Sequence, residues 1–144
     1  MNTAILAPAA ALAVWSMVML IWMAATRLPA LARLQSSGKI TKESSRGGRG
    51  SDLDGVLPDG VMWKAHNYNH LMEQPTVFYA VCVVLAIAGA GALDVYLAWA
   101  YLALRVVHSF WQAMVNTIPV RITIFSVYSI ILTILAVRAL LATI

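Results

Sequence analysis

Apolar residues fill this chain in four long blocks, over about residues 4–27, 63–92, 95–117 and 120–142, and one of the polar stretches between them, about 28–62, is far longer than the others. Crossing about 30 Å of hydrocarbon takes roughly 20 mostly apolar residues at about 1.5 Å each. Each block therefore predicts a membrane-spanning helix. The first is uncharged up to Arg27 and the second is uncharged after Glu73. The third is interrupted by Arg105 and His108, and the fourth carries Arg121 and Arg138 near its ends. Helices that are apolar all round leave no polar faces to meet water, which excludes a soluble bundle in so small a chain. The first block reads as an anchor, because its leader MNTAIL lacks Lys and Arg and its apolar stretch is too long for a cleaved signal.

Composition agrees. Of 144 residues, 61% are apolar and 11% charged, against about half and a quarter in soluble domains. The expected fold is all-α, a single four-helix membrane domain over residues 1–144. Cys82 is the only cysteine, so no internal disulfide is possible, and its place in an apolar helix suits packing.

Charge gives the orientation. The long loop and its flanks hold Arg27, Arg33, Lys39, Lys42, Arg46, Arg49 and Lys64, while the short link AGAGALD carries no basic residue. Basic loops stay in the cytoplasm, so both termini should face the opposite side. The middle of the loop, QSSGKITKESSRGGRGSDLDG, has the composition of a mobile segment rather than a folded subdomain. Its GGRG has neither a preceding strand nor a following GK[ST], so it does not form a phosphate-cradling motif. Topology and attraction to anionic headgroups account for the basic residues, and no nucleic-acid partner is expected.

The remaining polar residues gather toward the loop side of the bundle. In HNYNHLMEQP, positions His66, His70 and Glu73 fall within about 60° on a helical wheel, with Asn69 about 60° from His66. On the third helix Arg105, His108, Gln112 and Asn116 span about 80°. Two such stripes on antiparallel neighbours can satisfy one another, whereas an ionised group facing lipid costs about 2.5–3.5 kcal/mol. The expected partner of Glu73 is Arg105 or another arginine of the cluster, in the same chain or a neighbouring one. Pro75 deletes a backbone donor and should bend the helix near Leu71. In NTIPVR, Pro119 ends the third helix and Asn116 or Thr117 can cap the fourth. Arg121 then sits at the positive end of a helix dipole, an unfavourable place unless an anion or acidic group visits.

Three chemical readings follow. Arg105, Arg121 and His108, with the amides of Gln112 and Asn116, could bind carboxylates or favour a bound thiolate. His66, His70 and Glu73 have a spacing that could supply a zinc or iron site, with His108 completing it. Alternatively, the stripes form only an interhelical hydrogen-bond network that fixes packing.

The stretches HNYNHLMEQPTVFYA and RVVHSFWQAMVNTIPVR, set in four helices, resemble the MAPEG family, the membrane-associated proteins in eicosanoid and glutathione metabolism, and in particular its bacterial branch. The second stretch, with Arg105, His108 and, beyond a proline turn, Arg121, is the more specific. The resemblance implies a homotrimer in a bacterial inner membrane, with sites between subunits open to the cytoplasm. It implies glutathione as co-substrate and transferase or peroxidase-like activity on lipophilic small molecules, although one well-known member only binds and presents a lipid. By the same resemblance Arg121 is the catalytic residue that stabilises the glutathione thiolate. The binding residues it implies are His66, Asn69, His70, Glu73, Arg105, His108, Gln112 and Asn116, with no metal. The chain departs from the pattern where His66 stands in place of a glutathione-contacting Arg, His70 in place of Asn, and Gln112 in place of a Tyr found in several members. Ile122 replaces the Ser that follows the arginine in the endoperoxide isomerase. The fork and permanent charge of arginine are thereby lost at position 66, and prostaglandin chemistry is not expected.

Overall fold

The computed structural model describes residues 2–41 and 46–144. Lys42, one of the basic residues of the loop, lies outside them. The described residues form five helices: α1 (Leu6–Ser36), α2 (Asp59–Leu71), α3 (Gln74–Ala88), α4 (Ala92–Met114) and α5 (Ile118–Leu141). The second predicted helix is α2 and α3 joined by a break, so the architecture is the expected four-helix one. Three segments, Thr3–Ser36, Asp59–Ala88 and Ile118–Leu141, are long and apolar enough to cross a membrane by length and composition.

The first helix extends nine residues past the expected boundary at residue 27. Its buried seam, Pro8, Leu12, Ser16 and Met19, repeats about every fourth residue, while Val14, Met17, Val18 and Ile21 point outward. Beyond Arg27 the helix is no longer apolar all round, so a spanning criterion stops short of its true end. Pro29 sits inside it. The second segment begins four residues early, because Pro58 and Asp59 suit a helix start. It stops at Ala88 because Gly89, at φ 102, closes the helix in the left-handed region.

The break between α2 and α3 goes further than a proline kink. Pro75 lies in the first turn of α3, where its missing N–H costs nothing. Glu73 leaves helical geometry at φ −90 and ψ −97. The Thr76 hydroxyl donates to the Glu73 carbonyl at 2.7 Å, occupying an acceptor the break exposes. On the loop side of the break α2 packs on α1 and α4; beyond it α3 packs on α1 and α5.

The core is aromatic where these helices meet. Phe78 of α3 stacks on Tyr101 of α4 at 4.3 Å between centroids, and Tyr101 meets Tyr128 of α5 edge-on at 5.6 Å. Gln74 bridges the same layer, accepting from the Tyr101 hydroxyl at 3.2 Å and donating to Ser129 at 2.9 Å.

Both termini and the α3–α4 link share one end. There Asn2 donates its side-chain amide to the Ala90 carbonyl at 2.8 Å and its backbone N–H to Ala86 at 3.1 Å. Asp94, buried at the start of α4, accepts from Gly91 N–H at 2.8 Å and is gripped in a fork by Arg138 of α5.

At the other end the long loop is fastened to α1. Residues 50–53 form a 3-10 turn, Asp52 accepts from the backbone N–H of Arg49 at 2.7 Å, and Arg27 reaches across to the Gly50 carbonyl at 2.8 Å. Residues 42–45 of the segment that composition suggests is mobile lie outside the described residues. Local hydrogen bonds and one arginine tether supply what apolar burial does not.

Candidate functional site

Arg105 is the centre of the site. It lies on the buried face of α4, in the series Ala98, Tyr101, Leu102, Arg105, His108, Ser109 and Gln112, whose three- and four-residue spacing presents one side to the bundle. Its side chain is 1% exposed, among the largest buried in the protein. One guanidinium nitrogen donates to the Tyr128 hydroxyl at 2.6 Å and approaches His70 Nδ1 at 3.2 Å; the other donates to the His70 carbonyl at 2.9 Å. Arginine has no acceptor, so Nδ1 of His70 must accept, which leaves the ring proton on Nε2.

Within one chain Glu73 does not pair with Arg105, the first of the partners expected for it. The helical wheel that placed Glu73 beside His70 ends at Leu71, and the break carries Glu73 to the exposed surface. Among the described residues its carboxylate has no ion-pair partner. The partner of Arg105 is instead Tyr128, which has no charge. It lies seven residues beyond Arg121 on α5, two helical turns along the same face, and that spacing could have identified it.

The predicted stripe on α2 divides. His70 joins Arg105 and faces His108, their ring centroids 5.0 Å apart. His66 turns outward to the loop, with Nε2 2.9 Å from Asp54 Oδ1. Asn69 is exposed. Asn67, which the helical spacing did not single out, is 1% exposed, and neither end of its amide finds a partner within the described residues. On α4, Gln112 and Ser109 are likewise buried with unpartnered side-chain oxygens.

Asn116 follows α4 at φ 58 and bonds back from its N–H to the Trp111 carbonyl at 2.8 Å, so it terminates α4 in the left-handed region that asparagine tolerates. Its side chain accepts from Arg121 at 2.7 Å. Thr117 precedes α5 without capping it through its side chain, and its hydroxyl accepts from the Trp111 indole at 2.9 Å instead.

Between these groups lies an open cavity of about 320 Å³ lined by His70, His108, Ile118, Arg121, Ile122 and Phe125. Its size is at the lower end of ordinary small-ligand sites. One wall is cationic, one carries two imidazoles, and the rest is apolar. The Nε of Arg121 is buried without a partner, so Asn116 does not saturate this guanidinium. Of the nine predicted site residues, His70, His108 and Arg121 line the cavity, Arg105 and Asn116 hold two of those three, and His66, Asn69, Glu73 and Gln112 do not reach it. Among the described residues no group of three His, Cys, Asp or Glu side chains could hold a metal ion. The ligand set His66, His70 and Glu73 is dispersed by the helix break and by the His66–Asp54 contact.

A model of the MAPEG family matches residues 5–141, nearly the whole chain. No curated protein and no solved structure matches it.

Proposed function

The chain belongs to the MAPEG family, and on that premise we propose that it is a membrane-embedded, glutathione-dependent transferase or peroxidase-like protein acting on lipophilic substrates. The observation that carries this reading is the cavity bounded by Arg121, whose guanidinium keeps an unpartnered N–H beside an apolar wall of Ile118, Ile122 and Phe125. A cation beside a thiol favours its thiolate, and the apolar wall accepts the body of a lipophilic electrophile. In conjugation the sulfur lone pair forms the new C–S bond while the leaving group, or the oxygen of an opening ring, takes the displaced electron pair. The Nε2–H of His70, which lines the cavity, is a neutral donor for that oxygen.

In this reading the protein is a homotrimer of a bacterial inner membrane with both termini outside the cytoplasm. Asn69 and Glu73, exposed on one chain, then face a glutathione held against the neighbouring copy. A thiolate absorbance should appear in the ultraviolet when glutathione is added to the detergent-purified protein, and it should be missing in Arg121→Ala. Equal absorbance in both proteins would count against the role of Arg121.

The second reading is a non-catalytic lipid-binding trimer. It is favoured by the diversion of His66 to Asp54 and the inward burial of Gln112, which remove two of the groups expected to clamp the tripeptide. In that case a lipid occupies the cavity and no thiolate signal appears.

A further inference from the structure

A second cavity, of about 400 Å³, lies away from the site just described, between the end of α1 and residues 39–56 of the loop that follows it. Its apolar lining is Leu31, Ile40, Leu53 and Val56, and its polar lining includes Lys39, Arg49 and Asp52. The cleft is held in shape by the Arg27 tether to the Gly50 carbonyl. A side chain at position 50 would intrude on that tether, because a Cβ there would sit 3.2 Å from the Arg27 guanidinium.

Charge in the cleft is unbalanced. Asp52 spends a carboxylate oxygen on the backbone N–H of Arg49. Among the described residues neither Lys39 nor the Arg49 guanidinium makes a side-chain ion pair. Asp52 keeps its charge, so Lys39, Arg49 and Asp52 leave the lining at net +1, and a cationic rim beside apolar side chains is complementary to an anion that carries hydrocarbon.

The position of the cleft says which one. The 31 residues of α1 extend about 46 Å, which matches the roughly 40–45 Å of a bilayer including its headgroups. Because Arg27 closes the uncharged stretch, the carboxyl end of α1, Leu31 included, extends into the headgroup layer. Outward-facing Leu28 and half-exposed Val56 continue the apolar surface from the membrane into the cleft.

We propose that this cleft is a binding site for an anionic phospholipid of the loop-side leaflet, with its phosphate on Lys39 and Arg49 and the upper part of its acyl chains on Leu31, Ile40, Leu53 and Val56. The site is distinct from the Arg121 cavity and independent of glutathione chemistry. It differs from diffuse attraction between a basic loop and a negative membrane, because it assigns the affinity to two of the basic residues and not to Arg33 or Arg46.

The test uses the full chain in non-ionic detergent, equilibrated with phosphatidylglycerol or phosphatidylcholine and read by native mass spectrometry. Phosphatidylglycerol should stay bound and phosphatidylcholine should not. The double variant K39Q/R49Q should weaken phosphatidylglycerol roughly 25-fold, taking about fivefold per basic residue near a membrane surface. The charge-matched R33Q/R46Q should retain it. Gly50→Val, which crowds the tether while leaving every charge in place, should also weaken it, so the result does not rest on one pair of variants. Equal loss in both double variants would assign the attraction to net charge and overturn the proposal. Equal retention of the two lipids, or displacement of phosphatidylglycerol by millimolar glycerol phosphate lacking acyl chains, would overturn it too.

Discussion

The two ends of the bundle treat polar side chains in opposite ways. At the end that holds the termini, Asp94 is bound by Arg138 and by its own helix start, and Asn2 is fastened to Ala86 and Ala90. In the loop-side half, Arg105, His108, Gln112 and Arg121 each keep a buried atom with no partner among the described residues, and Asn67 keeps two. A saturated cluster in a low-dielectric interior is a fastener. An unsaturated one has binding capacity left over, and the cavity opens beside it.

The largest effect should come from Arg105, which belongs to the unsaturated half yet supports it. Arg105→Met leaves the Tyr128 hydroxyl and the His70 carbonyl without donors. Hydrogen bonds to a charged group are worth about 1.5–3 kcal/mol each, so a fall in stability of about 3 kcal/mol or more is expected in thermal unfolding in detergent, together with loss of ligand binding. A variant of undiminished thermal midpoint would show that the guanidinium is not the anchor of the layer.

Next comes the fastener. Asp94→Asn should lower the thermal midpoint by less than Arg105→Met, because the Arg138 side chain is 40% exposed and can turn to water. Glutathione binding should be unchanged, since the pair lies at the opposite end from the cavity. Reduced binding in Asp94→Asn would abolish the distinction between the two ends.

Asn67→Leu reverses the sign. An amide buried without partners costs about 1–3 kcal/mol relative to an apolar residue of similar shape, so this substitution should raise the thermal midpoint. A fall would mean that the amide is paired, by water or by a neighbouring subunit. The smallest effect is expected from Glu73→Gln, within about 0.5 kcal/mol for an exposed side chain without a partner. A larger loss, or a change of oligomeric state in light scattering, would locate its partner on another chain.

Much of the fold was legible because lipid solvent imposes a length and a composition on each crossing, and both can be read from residue order. The ends of helices were less so. Residues 28–36 continue α1 in water or headgroups, where the apolar-length criterion has nothing to measure. The site was legible by halves. Arg105, His70 and His108 met as their spacing implied, because α2 and α4 are regular over those residues. Glu73 did not, because a wheel drawn from His66 assumes one continuous helix, whereas α2 ends at Leu71, four residues before Pro75. His66 was lost to the stripe for a different reason, a carboxylate twelve residues earlier in a loop whose course composition does not reveal. Tyr128 carries no charge, so the charge pattern of the chain does not mark its hydroxyl as the acceptor for a buried guanidinium.

Whether Arg121 bounds a thiol-binding cavity is decided by calorimetric titration of glutathione into the detergent-purified protein and into Arg121→Ala. The unaltered protein should bind at millimolar concentration or below, the weak end of specific ligand affinities. The variant should lose at least tenfold in affinity, while its thermal midpoint without ligand should stay nearly unchanged. No heat of binding up to millimolar glutathione, or equal affinity in the two proteins, would contradict that role of Arg121.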